Sequence, residues 1–392
     1  MSLSGLLPVI FVSHHPFLKD LKKIEAINYN LLGESDVSES NVDQFRIALS
    51  ADFLQADGSP SYPMFDLSPL QKDVRIQLEY IAPVNGEMSS EALKEFDALI
   101  LLSSKFSRQS IDPEGRLSLV ARFGVGYDSV DVEACTDSGI GLAITPNGVR
   151  RPVAVSIITM MLALTGKLMV KDKLTRLGAA GFAKRSEHMG VGLMGKTLGS
   201  LGVGNIGAEL FRLATPFDLK FIAHDPYLTE TKAQVLNVEL VSLENLFQRS
   251  DILSINCPLT ESTRHVVNAE RLSLMKPTAY LINTARGPVV DQTALTKALQ
   301  EQRIAGAGLD VLEVEPPPLE DPILQLDNVI LTPHALCWTD QCFAGIGAAD
   351  VQAVLAVMQG QAPIGLVNQA VLEHPSWQKK LANYRLRFGV DR

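Results

Sequence analysis

Apolar residues in this chain gather in short runs, and between the runs they recur every three or four positions. Runs at Phe45–Ser50, Val74–Ile81, Ala98–Ser103, Leu117–Arg122 and Gly141–Thr145 predict the strands of a small parallel sheet with covering helices. The alternation restarts at Thr197, with strands predicted at 197–201, 219–224, 252–256, 279–283, 305–309 and 328–331. Strands alternating with helices in this way imply an α/β fold of two doubly wound parallel sheets. Thr145-Pro-Asn-Gly148 reads as a turn, and Pro152 fits the first turn of a long helix running to about Lys173. A second helix, from about Thr339 to Met358, leads back toward the first sheet. The expected organisation is therefore one domain from 44–147 and 337–392, with a second domain, 148–336, inserted between two hinge segments.

Residues 1–43 read as an N-terminal extension, in which Pro8–Val12 could form a short strand and Gly33–Ser40 is polar. Past Asn368 the chain carries Trp377, Tyr384 and Phe388, the pattern of an ordered appendage.

Composition narrows the class. With 392 residues, 46% of them hydrophobic, both domains can bury a core. A net charge of −9 without a basic stripe argues against nucleic acid and anionic membranes as partners. Cys135, Cys257, Cys337 and Cys342 have neither paired-CxxC nor Cys/His spacing, so no metal site is expected and a reducing, cytoplasmic setting fits. The longest apolar run, Val153–Leu164, is too short to span a bilayer and reads as a buried helix. The first residues do not show the charged and apolar regions of a secretory signal.

The strongest local signal is Gly202-Val203-Gly204-Asn205-Ile206-Gly207, set between a predicted strand and an amphipathic helix. The first glycine permits a sharp turn, the second lets a pyrophosphate approach bare backbone, and the third lets the helix pack closely on the strand. The helix then directs its free N–H groups at the phosphates. Asp225 ends the next strand 18 residues after the last glycine, where a carboxylate accepts from ribose hydroxyls and repels a 2′-phosphate. The cofactor expected is NAD.

Two further groups stand just past predicted strands, where open α/β sheets hold their ligands. Arg286 follows the run Leu281-Ile-Asn-Thr-Ala, and His334 follows Leu331-Thr-Pro, with Asp310 and Glu315 in the segment between them. Arginine offers a planar, two-pronged donor for a carboxylate or carbonyl. Histidine can carry a proton near neutral pH, and a neighbouring carboxylate holds the imidazole and favours its charged form. Together these are the parts needed for hydride transfer to a small 2-oxo acid.

The blocks Phe123-Gly-Val-Gly-Tyr-Asp128, Gly202–Gly207, Ala223-His-Asp-Pro-Tyr227, Asn283-Thr-Ala-Arg-Gly287, Gly308-Leu-Asp-Val311 with Glu315-Pro316, and Thr332-Pro-His334 resemble the D-isomer-specific 2-hydroxyacid dehydrogenase family. The likeness runs from about Phe45 to Asn368 in the family's order. It implies a Rossmann-type NAD-binding domain inserted into a flavodoxin-like substrate domain, a homodimer, and a small anionic 2-hydroxy or 2-oxo acid as substrate. By the same resemblance Arg286 binds the substrate carboxylate and carbonyl, His334 moves the proton and Glu315 supports His334. Asp310 anchors the nicotinamide carboxamide, and the amides of Val125 and Gly126 receive the carboxylate. Asn205, Ile206, Pro258, Thr284 and Ala285 join the glycines and Asp225 around the cofactor. Lys105 falls where relatives place a substrate loop.

Departures concern the pocket lining: Asn256 replaces a common histidine, and Arg151 and Val155 replace the usual start of the hinge helix. Formate dehydrogenases resemble this pattern too, but Glu315 and Val149 disfavour formate. Arg150–Arg151 read as a solvated pair, or as a source of positive field for an acidic substrate. Trp338 reads as core or pocket wall, and His188, His224 and His265 as structural or surface residues. Hydroxypyruvate or glyoxylate, phosphoglycerate and a longer sugar acid stay open as substrates. An alternative is an NAD-responsive scaffold resembling the family's transcriptional corepressors.

Overall fold

The computed structural model describes residues 44–389, so the expected extension 1–43 and its strand at Pro8–Val12 lie outside the described residues. The first sheet holds β1 (Phe45–Ser50), β2 (Ile76–Ile81), β3 (Ala98–Leu101), β4 (Leu119–Arg122) and β5 (Gly141–Ile144), all parallel, in the order β2-β1-β3-β4-β5. The central strand β3 is wholly buried, as expected for a parallel strand covered on both faces. Around this sheet lie α1 (Ser68–Gln71), α2 (Ser90–Leu93) and α3 (Val132–Asp137). The second sheet holds β6 (Thr197–Leu201), β7 (Lys220–His224), β8 (Glu239–Leu240), β9 (Ile252–Ile255), β10 (Tyr280–Asn283), β11 (Gly306–Leu309) and β12 (Val329–Leu331). Its order is β12-β11-β10-β9-β6-β7-β8, again all parallel. The chain lays strands outward from β6 in one direction, then returns to β9 and builds in the other. The ends of β6 and β9 therefore flank the switch point at which such sheets bind ligands.

Predicted strands begin or end a residue or two away from the observed ones for local reasons. β2 starts at Ile76 because Asp73 first makes a turn, accepting the Arg75 amide at 3.0 Å on its side chain and the Ile76 amide at 2.9 Å on its carbonyl. β3 ends at Leu101 because the Ser103 amide turns away to Asp52 Oδ2, 3.0 Å away. The two-residue β8 has too little apolar pattern to be read from sequence.

The hinge helix differs more. Residues 145–148 do not form a free turn, and no helix runs from Pro152 to Lys173. Instead α4 spans Pro146–Thr165 with Pro146 in its first turn and Pro152 inside it, and α5 (Leu168–Arg176) follows a break at Lys167, whose φ is +53°. Proline's fixed φ starts a helix as readily at Pro146 as at Pro152. Gly148, read as a turn residue, is needed for a close approach: a Cβ there would come 2.5 Å from the Ile346 amide nitrogen.

Ile346 belongs to α12 (Asp340–Met358), the predicted return helix. The helix α4 packs on α12 and also on β10 and β11, while α12 packs on β4 and β5. The pair thus forms the seam between the two sheets, with Val153, Ile157, Met160 and Leu164 of α4 and Ile346, Val351 and Val354 of α12 buried in one core. Both helices are long and apolar enough to cross a membrane, but here their apolar residues largely cover the sheets. The second sheet is completed by α7 (Asn205–Ala214), α8 (Glu230–Val235), α9 (Leu243–Arg249), α10 (Ala269–Leu274) and α11 (Gln292–Gln300), while the short α6 (Ala179–Ala183) packs on α5.

The C-terminal α13 (Pro375–Phe388) is ordered and part of the first sheet's core. Trp377 donates its indole N–H to Ser118 O at 2.9 Å, and the Tyr384 hydroxyl lies 2.9 Å from Asp97 Oδ1. The rings of Tyr384 and Phe388 meet Phe45 edge-on, with centroids 5.1 and 5.9 Å away.

Candidate active site

The glycine-rich turn leaves β6 and opens α7, as its sequence requires. Gly202 has φ +90°, and a side chain there would press on the backbone of Asn256 and Cys257 at the end of β9. At Gly204 a Cβ would meet nothing within 4 Å, which leaves the bare approach a pyrophosphate needs. At Gly207 it would come 2.7 Å from Gly202 O, so the third glycine lets the helix sit against the turn. The amides of Asn205 and Ile206 lie in the first turn of α7, where N–H groups have no partner within the helix. At the end of β7, Asp225 accepts the Val203 amide at 2.7 Å and the Tyr227 amide at 2.8 Å, which fixes its carboxylate beside the turn. Asn256 donates to Ser200 Oγ and Ser254 Oγ at 2.8 and 3.0 Å and so braces the two strand ends. Past β10, the buried Thr284 hydroxyl has no hydrogen-bond partner among the described residues, so it is available to a ligand. Pro258 follows β9 and Ala285 follows β10. The residues present fit a dinucleotide.

Three neighbouring strands then deliver the reactive groups. Arg286 follows β10, Asp310 and Glu315 follow β11, and His334 follows β12. Asn283, wholly buried, ties the first of these turns together: its amide donates to Arg286 O at 2.9 Å and accepts from the Ala285 amide at 3.0 Å. Asp310 secures the last. Its Oδ1 accepts from Thr332 Oγ1 at 2.6 Å and from the amides of Ala335 and Leu336 at 3.0 and 3.1 Å, while its carbonyl accepts the His334 amide at 2.8 Å. In this structure Asp310 thus organises the histidine loop, a job its motif does not advertise.

His334 has φ +54°, unusual for a residue with a side chain and frequent at sites held by their surroundings. Its Nδ1 lies 2.8 Å from Glu315 Oε2, and Glu315 Oε1 accepts the Leu312 amide at 2.8 Å. With Nδ1 committed to the carboxylate, Nε2 is the atom left to exchange a proton.

Arg286 reaches from the second sheet to the loop after β4. Its guanidinium occupies the space a Cβ would take at Gly126, and its Nε donates to Asp128 Oδ2 at 2.7 Å. Val125 and Gly126 therefore stand beside Arg286, which brings together the three expected carboxylate contacts. Arg122, at the end of β4, carries no motif of its own, yet its guanidinium lies over Gly124 and bonds Phe123 O. Burial pushes its pKa down to about 10, with the neighbouring Arg286 charge adding to the effect. A cation closing the otherwise apolar run Leu119-Val-Ala, directly before Gly124-Val-Gly126, is the signal that could have found it.

Other candidates stand apart. Lys105 is ion-paired with Glu87 Oε2 at 3.5 Å, although the next residue, Phe106, bonds Ser129 O beside Asp128. Arg151 pairs with Glu209 of α7 at 3.1 Å, and Arg212 shares that carboxylate, so it ties two helices together and its charge is met. The hydrogen bond from Arg212 holds the Glu209 carboxyl below its ordinary range. Trp338 is half-exposed rather than core, and meets Tyr62 and Phe343 edge-on at 5.6 and 5.4 Å. His224 Nδ1 rests on Val241 O at 3.0 Å, a structural contact.

A dinucleotide turn facing an arginine, a histidine and its carboxylate, all at parallel strand ends, defines a nicotinamide-dependent oxidoreductase of the doubly wound class. Comparison with known proteins gives the family. Residues 158–335 match the family model described as D-isomer specific 2-hydroxyacid dehydrogenase, NAD binding domain. The chain is 38% identical over 294 residues to a glyoxylate reductase of Korarchaeum cryptofilum, covering 74% of this chain and 89% of that one. It is 35% identical over 308 residues to a D-3-phosphoglycerate dehydrogenase of Methanocaldococcus jannaschii, covering 76% of this chain but 58% of that one. The solved D-lactate dehydrogenase of Aquifex aeolicus, complexed with NAD and lactic acid, superposes with a TM-score of 0.68 at 30% identity, covering 80% of this chain and 96% of that one. The chain belongs to the D-isomer-specific 2-hydroxyacid dehydrogenase family. It is an NAD-dependent oxidoreductase acting between 2-hydroxy and 2-oxo acids, and the corepressor-like scaffold finds no support in these comparisons.

Proposed function

We propose that this enzyme reduces a small 2-oxo acid of the glyoxylate type, with Arg286, His334 and Glu315 as the working set. The observation that carries the proposal is the pairing of His334 Nδ1 with Glu315 at 2.8 Å, beside strand ends that bring Arg286 over Gly126. Arg286 and the amides of Val125 and Gly126 grip the substrate carboxylate and leave its carbonyl oxygen within reach of His334. Bound NADH supplies a hydride to the second carbon. His334 donates the Nε2 proton to the oxygen, so the oxo acid gains one hydride and one proton and becomes the hydroxy acid. Glu315 supports the imidazolium and keeps the ring in the tautomer that presents Nε2 to the substrate.

Glyoxylate reductases recur among the relatives, which favours a compact substrate. Asp225 would contact the adenosine ribose, with Asn205, Ile206, Pro258, Thr284 and Ala285 lining the cofactor and Asp310 meeting the carboxamide. The two sheets act as domains, 44–147 with 337–392 and 148–336, hinged where α4 and α12 cross. The assembly is a homodimer, and four cysteines without disulfides suit the cytoplasm.

The test follows NADH absorbance with a panel of 2-oxo acids. His334→Gln and Arg286→Ala should each lower kcat/KM by about 100-fold or more while leaving NADH affinity nearly unchanged. Tight NADH binding without turnover on any 2-oxo acid would remove the assignment, and an equal loss of NADH binding would misplace the two residues.

A further inference from the structure

A second histidine–carboxylate pair stands behind the first. His265 Nε2 lies 2.6 Å from Glu313 Oε1, and Glu313 is two residues before Glu315. The remaining bonds of Glu313 tie it to the start of α11: its amide donates to Gln292 Oε1 at 2.9 Å, and its Oε2 accepts the Gln292 amide at 3.3 Å. The next residue toward the N-terminus, Leu312, supplies the amide that holds Glu315 Oε1. On the other side, Leu312 O lies so close to Gly287 that a side chain there would collide with it. The His265 backbone is fixed as well, since its amide donates to Pro288 O at 2.9 Å in the turn after Arg286. Its φ of +51° is a conformation that costs a side-chain-bearing residue energy. The pair is also partly solvated, with side-chain exposures of 41% and 28%, where such a contact adds little to stability. What the pair does connect is the turn after Arg286, through the His265 backbone, with the segment that carries Glu315, through Glu313.

We infer that His265 is a positioning residue for proton transfer: braced on the Arg286 turn, it clamps Glu313 so that Leu312 holds Glu315 in line with His334. The inference rests on the reading of His334 and Glu315 given under Proposed function. Relaxing the clamp lets Glu315 turn away from Nδ1 without touching the cofactor or substrate. Glu315 is the titratable side chain hydrogen-bonded to the His334 ring, while Asp310 is engaged by Thr332 and two backbone amides.

The test uses His265→Asn, since asparagine tolerates this backbone conformation, and Glu313→Gln, which keeps the shape and removes the charge. In glyoxylate reduction each should lower kcat by about ten-fold while NADH affinity stays within about two-fold, and should move the alkaline fall of kcat/KM to lower pH, as Glu315→Gln does. In the Glu315→Gln background, His265→Asn should lose little more, because both act on one contact. Effects that multiply independently, or an unmoved pH profile with only a lower melting temperature, would overturn the positioning role. A wild-type enzyme that turns over while Glu315→Gln costs nothing would instead overturn the reading of the dyad itself. Should His265→Asn fail to fold, Glu313→Gln carries the same pH and double-variant comparisons.

Discussion

In the role proposed for it, Arg286 serves two carboxylates in turn, that of Asp128 and that of the substrate. Its Nε is held by Asp128 at 2.7 Å, and Asp128 is half-exposed, so substrate must share or displace that contact. An ion pair of this exposure is worth about 0.2–1 kcal/mol, so Asp128→Asn should lower the KM for the 2-oxo acid by up to about five-fold with kcat little changed. A raised KM would mean that Asp128 orients Arg286 rather than competing for it. Behind the same loop, Asp350 of α12 is wholly buried, and neither carboxylate oxygen has a hydrogen-bond partner among the described residues. Burial raises its pKa well above 3.8, against the pull of Arg122. The folded state therefore keeps a proton that the unfolded chain releases first, so stability is lost as pH rises from the ordinary carboxylate range through the folded value. Asp350→Asn abolishes that loss. Its gain in unfolding free energy should be larger at about pH 8 than at about pH 5, and urea melts at the two pH values would show it. The sequence signals Arg286, His334 and Glu315 because each follows a strand within a motif. Arg122 shows in sequence only as a cation ending an apolar run, whereas Asp128 and Asp350 become legible only in the folded chain, Asp128 through its bond from Arg286 and Asp350 through its burial without a hydrogen-bond partner among the described residues.

At the scale of elements, the seating of α4 depends on Gly148 as well as on its apolar face. A Cβ there would meet the backbone of Gly345 and Ile346, which cannot swing aside like a side chain. Gly148→Ala should therefore cost about 1–3 kcal/mol by overpacking, read as a lower urea midpoint, while Gly178→Ala tests the cost of a left-handed glycine in open space. An unchanged midpoint for Gly148→Ala would show that the two helices can separate freely. This contact also explains what the pattern of the chain hid. The strand order around β6 follows from runs of buried residues and a glycine turn, signals carried by neighbours in sequence. The start of α4 is decided by a contact nearly two hundred residues away, so Thr145-Pro-Asn-Gly148 reads locally as a turn. Trp377 and Tyr384 are similar: their aromatic character announces order, but their hydrogen bonds to Ser118 and Asp97 fix where they pack.

For the whole molecule the open question of surface is the apolar stretch leaving the seam. On α4, Val155 and Leu162 are seven residues apart, on one helical face, and are 47% and 42% exposed while the opposite face is core. Beyond it Leu168, Met169, Leu177 and Phe182 are all more than half exposed, and α5 buries none of its residues. A charged protein of net −9 that leaves this much apolar surface along one continuous segment is built to cover it. In the dimer proposed above, a second copy related by a two-fold axis would cover it with the same residues on both sides. Sedimentation should therefore give twice the chain mass of 42.6 kDa, and Leu177→Asp with Phe182→Asp should yield a monomer that still binds NADH, because the glycine turn and Asp225 lie on other elements. A wild-type monomer at micromolar concentration would refute the dimer. A dimer that survives both aspartates would place the interface on some other face, leaving the apolar stretch unexplained.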